Sequence, residues 1–185
     1  MKRNSVKAEK GEDPRKPPGD RSGLPKSGVG AFVLKFGVLM SAYYCIILLP
    51  SVDHLLYSYL SANAWLANSV LRLFGADSAV SGVTIHSVAF TMNVRRGCDA
   101  IEPAWFFCAA VIAFPSPWAS KISGLAAGSA IILTLNLARL VSLYWLGANF
   151  PRVFAAAHLE IWPVLFILVA GLLFLGWIGL CRRAS

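Results

Sequence analysis

The stretch from residue 93 to residue 103 reads Asn93-Val94-Arg95-Arg96-Gly97-Cys98-Asp99-Ala100-Ile101-Glu102-Pro103. It leads directly into an apolar run over 104–114, so a helix is expected to begin just after Cys98. Arg95 and Arg96 precede the thiol. Cationic neighbours and the N–H groups at a helix N-terminus both stabilise a thiolate. The stretch therefore predicts a reactive cysteine at the start of an apolar helix.

The composition is that of a membrane protein. Hydrophobic residues make up 57% of the 185 residues and charged residues only 14%. Eight of the 17 Lys and Arg residues lie in 1–28, and Arg182 and Arg183 lie at the other end. Basic ends around apolar runs are typical of the cytoplasmic flanks of a membrane protein, so the formal charge of +8 does not indicate a nucleic-acid partner.

The four cysteines do not predict a disulfide framework or a metal site. No two of them form a CxxC pair, and they have no metal-ligand spacing with the three histidines. We therefore expect neither a metal nor another cofactor. Cysteines within apolar runs are usually small packing residues. That is the expectation for three of the four, Cys45, Cys108 and Cys181.

Apolar runs divide the chain into a tail and a membrane domain. Residues 1–28 are rich in Lys, Arg, Pro and Gly, which predicts a disordered, basic, cytoplasmic tail. The domain is expected over 29–185. About 20 apolar residues span a hydrocarbon core of ~30 Å, and 104–114 is short for a span even if its helix begins near Cys98. The predicted transmembrane helices are 30–49, about 99–114, 122–148 and 159–180.

Two segments between the first and second spans need other structures. Residues 54–74 have a rough helical stripe with polar residues between, so this helix either spans or lies in the interface. Residues 83–94 alternate apolar and polar residues, which predicts two short strands with a tight turn near His86 and Ser87. A strand pair cannot sit alone in lipid, so it belongs in water or under other protein.

Charge favours four spans. An even number keeps both basic ends in the cytoplasm and places Cys98 on the outer side, whereas a spanning 54–74 helix would send one basic end across. The predicted fold is an all-α integral membrane bundle of about four transmembrane helices. It carries an outer interfacial helix and a small β-hairpin, and lies among the lipids of the cell (inner) membrane.

Three polar side chains reach the outer side in this topology: Cys98, Arg139 and His158. A charge inside an apolar run costs at least ~2.5–3.5 kcal/mol on insertion, so Arg139 marks either a functional site or a hydrogen-bond clamp between helices. Asn136 lies three residues earlier, on the same helical face. His158 stands at the mouth of the last span, as a base or a polar cap.

Two carboxylates lie near this group in the sequence. Glu102 and Glu160 either orient a histidine or an arginine, or face the headgroups. Together a thiol, an imidazole and a guanidinium can perform acyl transfer. The thiolate attacks a peptide carbonyl while His158 takes its proton and later gives it to the leaving amine. Arg139 stabilises the oxyanion or fixes the substrate.

At these residues the sequence resembles the exosortase/archaeosortase family of multi-pass membrane cysteine transpeptidases. The matching pieces, over roughly 30–180, are Arg96-Gly97-Cys98 before a short span, Asn136-Leu137-Ala138-Arg139 in the next, and His158 at the start of the last. Many members follow the cysteine with a small residue and Gly-Ile or Gly-Leu. Here Asp99-Ala100-Ile101 stands instead, which leaves the subfamily and the substrate motif open.

The resemblance implies a site and a substrate class. Cys98 would be the nucleophile, Arg139 and His158 its partners, and Asn136 a supporting residue. The substrate would be a membrane-anchored protein with a C-terminal sorting signal made of a short motif, a transmembrane helix and a basic cluster. It would be cut outside the membrane and transferred to an acceptor. Two alternatives stay open: a thiol protease that hydrolyses the same bond, and a non-catalytic scaffold for export or polysaccharide assembly.

Overall fold

The computed structural model describes residues 26–183, which fold into helices around a small sheet. The predicted disordered tail lies outside this range except for its last three residues, which belong to the first helix. The elements are α1 (Lys26–Ile47), α2 (Pro50–Leu73), β1 (Ser78–Ser81), β2 (Thr84–Ser87), β3 (Met92–Asn93), α3 (Ile101–Ala113), α4 (Trp118–Asn149), α5 (Pro151–Ala156), a π-helical turn (Ala157–Ile161) and α6 (Trp162–Arg183).

Three helical stretches within the described residues are long and apolar enough to cross a membrane. They are 28–47, 118–149 and 151–183. The helical membrane bundle is thus confirmed, and the run predicted over 159–180 is the last part of a helical stretch that begins at Pro151.

The helix after Cys98 is apolar but short. α3 has 13 residues, about 20 Å at ~1.5 Å per residue, which is less than a hydrocarbon core of ~30 Å. It packs against α1, α4 and α6, so it is surrounded by protein on several sides. Cys98 lies three residues before α3. It therefore packs against the other helices and does not stand at the end of a helix long enough to cross the membrane. The predicted count of four spans therefore depends on this short central helix.

The amphipathic segment 54–74 is a helix, α2, and it begins earlier than predicted. Pro50 occupies its first turn, a position where the missing proline N–H costs no hydrogen bond. One face is buried, with Leu56, Leu60, Ala64, Ala67, Asn68 and Leu71. This face packs on the sheet and on α4, so α2 covers the end of the bundle where Cys98 lies.

The strands form a three-stranded antiparallel sheet in the order β1-β2-β3. The two strands predicted within 83–94 are present as β2 and β3, but the turn predicted near His86 and Ser87 is wrong. Both residues lie in β2, where they pair with Ala79 and Ser78 of β1. β1 was not predicted, because its residues are Ser-Ala-Val-Ser and alternate only weakly. The first turn instead contains Gly82, whose φ of 57° suits glycine.

Two apolar cores fill the bundle. The sheet-end core joins α2, the sheet and the last part of α4, and includes Leu71, Ile85 and Leu143. The second core joins α3, α4 and α6, and includes Phe107, Ile132, Phe166 and Trp177. We call it the glycine-end core, because two of its rings lie on Gly124 and Gly128 of α4. Cys98 packs against the sheet-end core, and Ala100, two residues later, belongs to the glycine-end core. The cysteine therefore sits where the two cores meet.

Candidate active site

Cys98 lies in a tight loop between β3 and α3. The Cys98 N–H donates to the carbonyl of Arg95 at 2.9 Å, which closes a turn just before the thiol. Gly97 has φ of 88°, a conformation that glycine adopts without steric cost. Ala100 has φ of 57°, and for an alanine this left-handed conformation costs roughly 1–2 kcal/mol. The loop thus bends sharply on both sides of the cysteine and leaves its thiol half-buried.

The structure brings His158 to Cys98 across 60 positions of sequence. The Cys98 Sγ lies 3.7 Å from both Nδ1 and Nε2 of the imidazole, within reach of a sulfur hydrogen bond. His158 is held in the π-helical turn, whose extra residue changes the direction of side chains along an otherwise α-helical stretch. The Phe154 ring stacks on the imidazole at 5.8 Å between centroids and so fixes its plane. A thiol and an imidazole at this separation can exchange a proton, which is what a thiol nucleophile requires of its base.

Arg139 clamps this pair from behind. Its side chain is only 5% exposed. Nη1 donates to the carbonyl of Gly97 at 3.0 Å, and Nη2 lies 3.5 Å from the carbonyl of His158, which is a weaker contact. The guanidinium carbon also lies 5.6 Å from the centre of the Phe166 ring. In this conformation Arg139 therefore ties the cysteine loop to the π-helical turn, which is the clamp that the sequence left as an alternative.

Asn136 extends the polar core toward α2. It is completely buried, and its Nδ2 donates to Oδ1 of Asn63 at 3.2 Å. Asn63 in turn donates to the carbonyl of Tyr59 at 2.9 Å, and the Tyr59 hydroxyl donates to the carbonyl of Asp99 at 2.9 Å. A chain of polar contacts thus runs from α4 through α2 to the residue after Cys98. Two buried atoms along this core, Asn136 Oδ1 and Arg139 Nε, have no partner within residues 26–183.

The two glutamates considered from the sequence lie apart from this pair. Glu102 is exposed and accepts a hydrogen bond from the Tyr44 hydroxyl at 2.7 Å, so it joins α3 to α1. Glu160 is also exposed, and none of the hydrogen bonds or ion pairs within residues 26–183 involves its carboxylate. Neither orients His158 or Arg139 in this structure.

The source of positive charge at the thiol differs from the one expected. Arg96 forms an ion pair with Asp53 of α2, and Arg95 Nε lies 3.3 Å from Asn93 Oδ1. Burial raises the pKa of the Cys98 thiol; the charge of Arg139 lowers it, Asp99 raises it, and a backbone hydrogen bond from Arg95 lowers it, with a net rise. The sequence predicted that Arg95 and Arg96 favour a thiolate; in the structure burial opposes the thiolate, and the cation whose charge acts on the thiol is Arg139.

The helix start also acts differently from the expectation. The first N–H of α3, on Ile101, donates to the carboxylate of Asp99 at 3.1 Å. The acidic side chain that this helix N-terminus contacts is thus Asp99, and the N–H that the sequence assigned to the thiolate is bound by its carboxyl group. Burial raises the pKa of the Asp99 carboxyl, although three backbone N–H groups and Arg139 oppose the rise.

A cavity of about 360 Å³ opens in front of Cys98 and His158. Its walls come from the loop after β2, the cysteine loop, α4 and α5, and they are mostly apolar; the lining residues include Phe90, Met92, Leu140, Leu143 and Phe154. Arg95 and Arg96 lie at its polar side. The volume falls within the range of small-molecule and peptide-side-chain pockets, which is roughly 300–1,000 Å³. Arg139 does not line it. No group of three His, Cys, Asp or Glu side chains placed to hold a metal occurs within residues 26–183.

The sequence pointed to Cys98, Arg139 and His158, but not to the residues that hold them in position. Asn63, Tyr59 and Phe154 lie in amphipathic or apolar segments, where an amide or an aromatic ring gives no distinct signal. Asp99 did have a recognisable signal, because a carboxylate two residues before a helix start can accept a hydrogen bond from the first N–H of that helix. His158 lies inside a continuous helical stretch, so the boundary predicted at Leu159 hid its π-helical setting.

Comparison with known proteins assigns the family. The sequence model of the transmembrane exosortase family matches residues 27–178 of the chain. No curated protein and no solved structure gives a significant match. The family match covers both the cysteine loop and the segments that supply Asn136, Arg139 and His158. Because it extends over far more than half of the chain, this membrane protein belongs to the transmembrane exosortase family.

Proposed function

We propose that this protein is a membrane cysteine transpeptidase that cleaves the C-terminal tripartite sorting signals of exported proteins. It acts through a thioacyl intermediate and transfers the cleaved protein to an acceptor nucleophile. The observation that carries the proposal is the Cys98 thiol 3.7 Å from the His158 imidazole at the wall of a cavity. A thiol and a base at this distance, facing a space that can hold part of a peptide, suit acyl transfer.

The first half of the reaction forms the thioester. The raised pKa of Cys98 favours the neutral thiol at rest, so His158 acts as a general base when the substrate carbonyl is in place. The sulfur attacks the carbonyl carbon, and its proton passes to the imidazole. The C–N bond then breaks, and the imidazolium returns this proton to the leaving amine.

The second half releases the product. The acceptor nucleophile gives a proton to His158 and attacks the thioester carbonyl, and the C–S bond breaks with return of the proton to sulfur. Apolar walls such as Leu140 and Leu143 limit water in the cavity, which favours transfer over hydrolysis.

Arg139 has two parts in this reaction. Its bonds to the Gly97 and His158 carbonyls hold the nucleophile loop and the base in register, and its charge favours the thiolate as it forms. It does not line the cavity, so it acts on the reaction through the two residues that it holds and through its charge.

The same proposal places the site at the outer face of the cell membrane, with both ends of the chain in the cytoplasm. Three long apolar helices together with the short α3 support an even number of crossings. Because α3 is shorter than the hydrocarbon core, its Cys98 end would lie below the headgroups. There it meets a substrate helix anchored in the same bilayer.

The test is processing of a signal-bearing substrate in cells. Cys98→Ala and His158→Ala should lower processing by roughly 10³-fold or more, because the nucleophile or its base is lost. Cys108→Ala is the matched control, since Cys108 is another half-buried thiol, ten residues further along the chain and within α3. Normal processing by Cys98→Ala at wild-type membrane levels would contradict the proposal and favour a scaffold. The mass of the released product separates transfer from hydrolysis, because a transferred product carries the acceptor.

A further inference from the structure

Asp99 is a buried carboxyl directly after the nucleophile, and the reaction above does not use it. Only 5% of its surface is exposed. Removing a carboxylate from water costs several kcal/mol unless hydrogen bonds or a cation compensate. Within residues 26–183 its carboxylate forms no ion pair, and the groups that compensate in part are backbone N–H groups and the charge of Arg139. A costly side chain at this position calls for a role in the site.

The first role is geometric. Asp99 Oδ1 accepts the Ile101 N–H at 3.1 Å across Ala100, which forms an Asx-turn into α3. This bond stabilises the left-handed conformation of Ala100. The Asp99 carbonyl accepts from the Tyr59 hydroxyl at 2.9 Å. On the other side of the thiol, Arg139 holds the Gly97 carbonyl. Cys98 is thus fixed between two anchored backbone positions.

The second role is electrostatic. The ionisable groups around the thiol are Asp99, Arg95 and Arg96 from its own loop, Asp53 and Tyr59 from α2, Arg139 from α4 and His158 from the π-helical turn. Asp53 is paired with Arg96, so Asp99 is the acid beside the thiol whose charge no ion pair offsets within the described residues. A nearby negative charge opposes formation of a thiolate.

We propose that Asp99 is a positioning residue that fixes the nucleophile loop and adds to burial in disfavouring the thiolate of resting Cys98, so that the proton passes to His158 when a substrate carbonyl is in place. This inference rests on the proposed function for its place in a reaction. The state of the thiol that it describes can be measured without any substrate.

The experiment measures alkylation of Cys98 by iodoacetamide against pH, in protein whose other three cysteines are replaced by alanine. Asp99→Asn keeps an oxygen that can accept the Ile101 N–H but removes the charge. We expect its alkylation curve to move to lower pH, with a roughly 3- to 10-fold higher rate at pH 7. Asp99→Glu keeps the charge and should leave the curve near that of wild type. The shift should persist in a His158→Ala background, since the carboxylate acts on the thiol itself.

Asp77→Asn is the matched control, because Asp77 is an exposed carboxylate between α2 and β1. Its curve should equal that of wild type. An unchanged curve for Asp99→Asn, or an equal shift for Asp99→Glu, would overturn the inference. The two proposals fail separately. If Asp99→Asn shifts the alkylation curve but Cys98→Ala still processes substrate, the proposed function is refuted. The inference about the state of the thiol then still stands.

Discussion

The two ends of the bundle are held together by different forces. At the sheet end, the buried side chains Asn136, Arg139 and Asp99 donate to or accept from backbone and amide groups around the cysteine. At the glycine end, aromatic rings lie directly on the α4 backbone: Phe107 on Gly128 and Trp177 on Gly124. Hydrogen bonds fix directions, whereas close apolar packing fixes distances. The sheet end should therefore be sensitive to lost polar atoms, and the glycine end to added volume.

The largest effect is expected from breaking the polar clamp at Arg139. Arg139→Ala leaves the Gly97 and His158 carbonyls without their donor and removes the cation beside the thiol. Arg139→Lys should fail almost as badly, because one ammonium cannot reproduce the planar fork that reaches both carbonyls. We expect processing to fall by roughly 10²-fold or more in both variants. Arg152→Ala, which removes an exposed arginine of α5, should process normally and serves as the control.

The glycine end should respond to a single methyl group. A Cβ at Gly128 would collide with the Phe107 ring, which is itself 1% exposed and has little room to move. Gly128→Ala should therefore lower the free energy of unfolding by about 1–3 kcal/mol. At Gly171 of α6 nothing lies within 4 Å of the added atom. Gly171→Ala should instead stabilise the helix by about 0.5–1 kcal/mol. Thermal unfolding in detergent measures both, and destabilisation by both would refute the contrast.

A smaller effect is expected from the link between α2 and the cysteine loop. Tyr59→Phe removes the hydroxyl that binds the Asp99 carbonyl, at a cost of about 1 kcal/mol. Because this bond positions the loop, the turnover rate should fall more than the apparent substrate affinity. Tyr57→Phe is the control, since Tyr57 lies two residues earlier in α2 and is 54% exposed. Equal kinetics for the two variants would remove Tyr59 from the site.

The smallest effect is expected in how the stability of the folded protein changes with pH, through the carboxyl group of Asp99. A carboxyl whose pKa is raised by folding binds its proton more tightly in the folded state. Its favourable contribution is present below the unfolded pKa, near pH 4, and is lost as pH rises through the folded pKa. Asp99→Asn should therefore melt at a higher temperature than wild type at pH 7. This difference in melting temperature, the gap, should become smaller as the pH falls toward 4. A gap that stays constant over this range would contradict the pKa shift.

Sequence and structure agree best where one side chain carries a strong signal. Arg139 stands out in an apolar run because its insertion is costly, so its importance could be read without coordinates. Its role could not, since the clamp depends on the Gly97 and His158 carbonyls, which are remote in the chain. The charge near Cys98 in the sequence is a similar case. Arg95 and Arg96 lie just before the thiol, yet Arg96 forms its ion pair with Asp53 on α2.

Elements with weak local signals were also harder to predict. β1 became visible only through its pairing with β2, because Ser-Ala-Val-Ser has little strand character of its own. The turn near His86 and Ser87 was wrong because both residues are held in that same pairing. The Tyr59 and Asn63 contacts arise from α2 lying across the end of α4, which no periodicity in α2 reveals.

Hydropathy and charge along the chain were enough to predict a helical membrane protein with a cysteine at an apolar helix start, followed by an arginine within an apolar run and a histidine. Those features follow from hydropathy and charge, which act residue by residue. Three relations became visible only in the folded chain: His158 reaches Cys98, Arg139 holds the backbone of both, and the side chain of Asp99 binds the first N–H of α3. Burial and contacts between distant segments set these relations, and both exist only once the helices have packed.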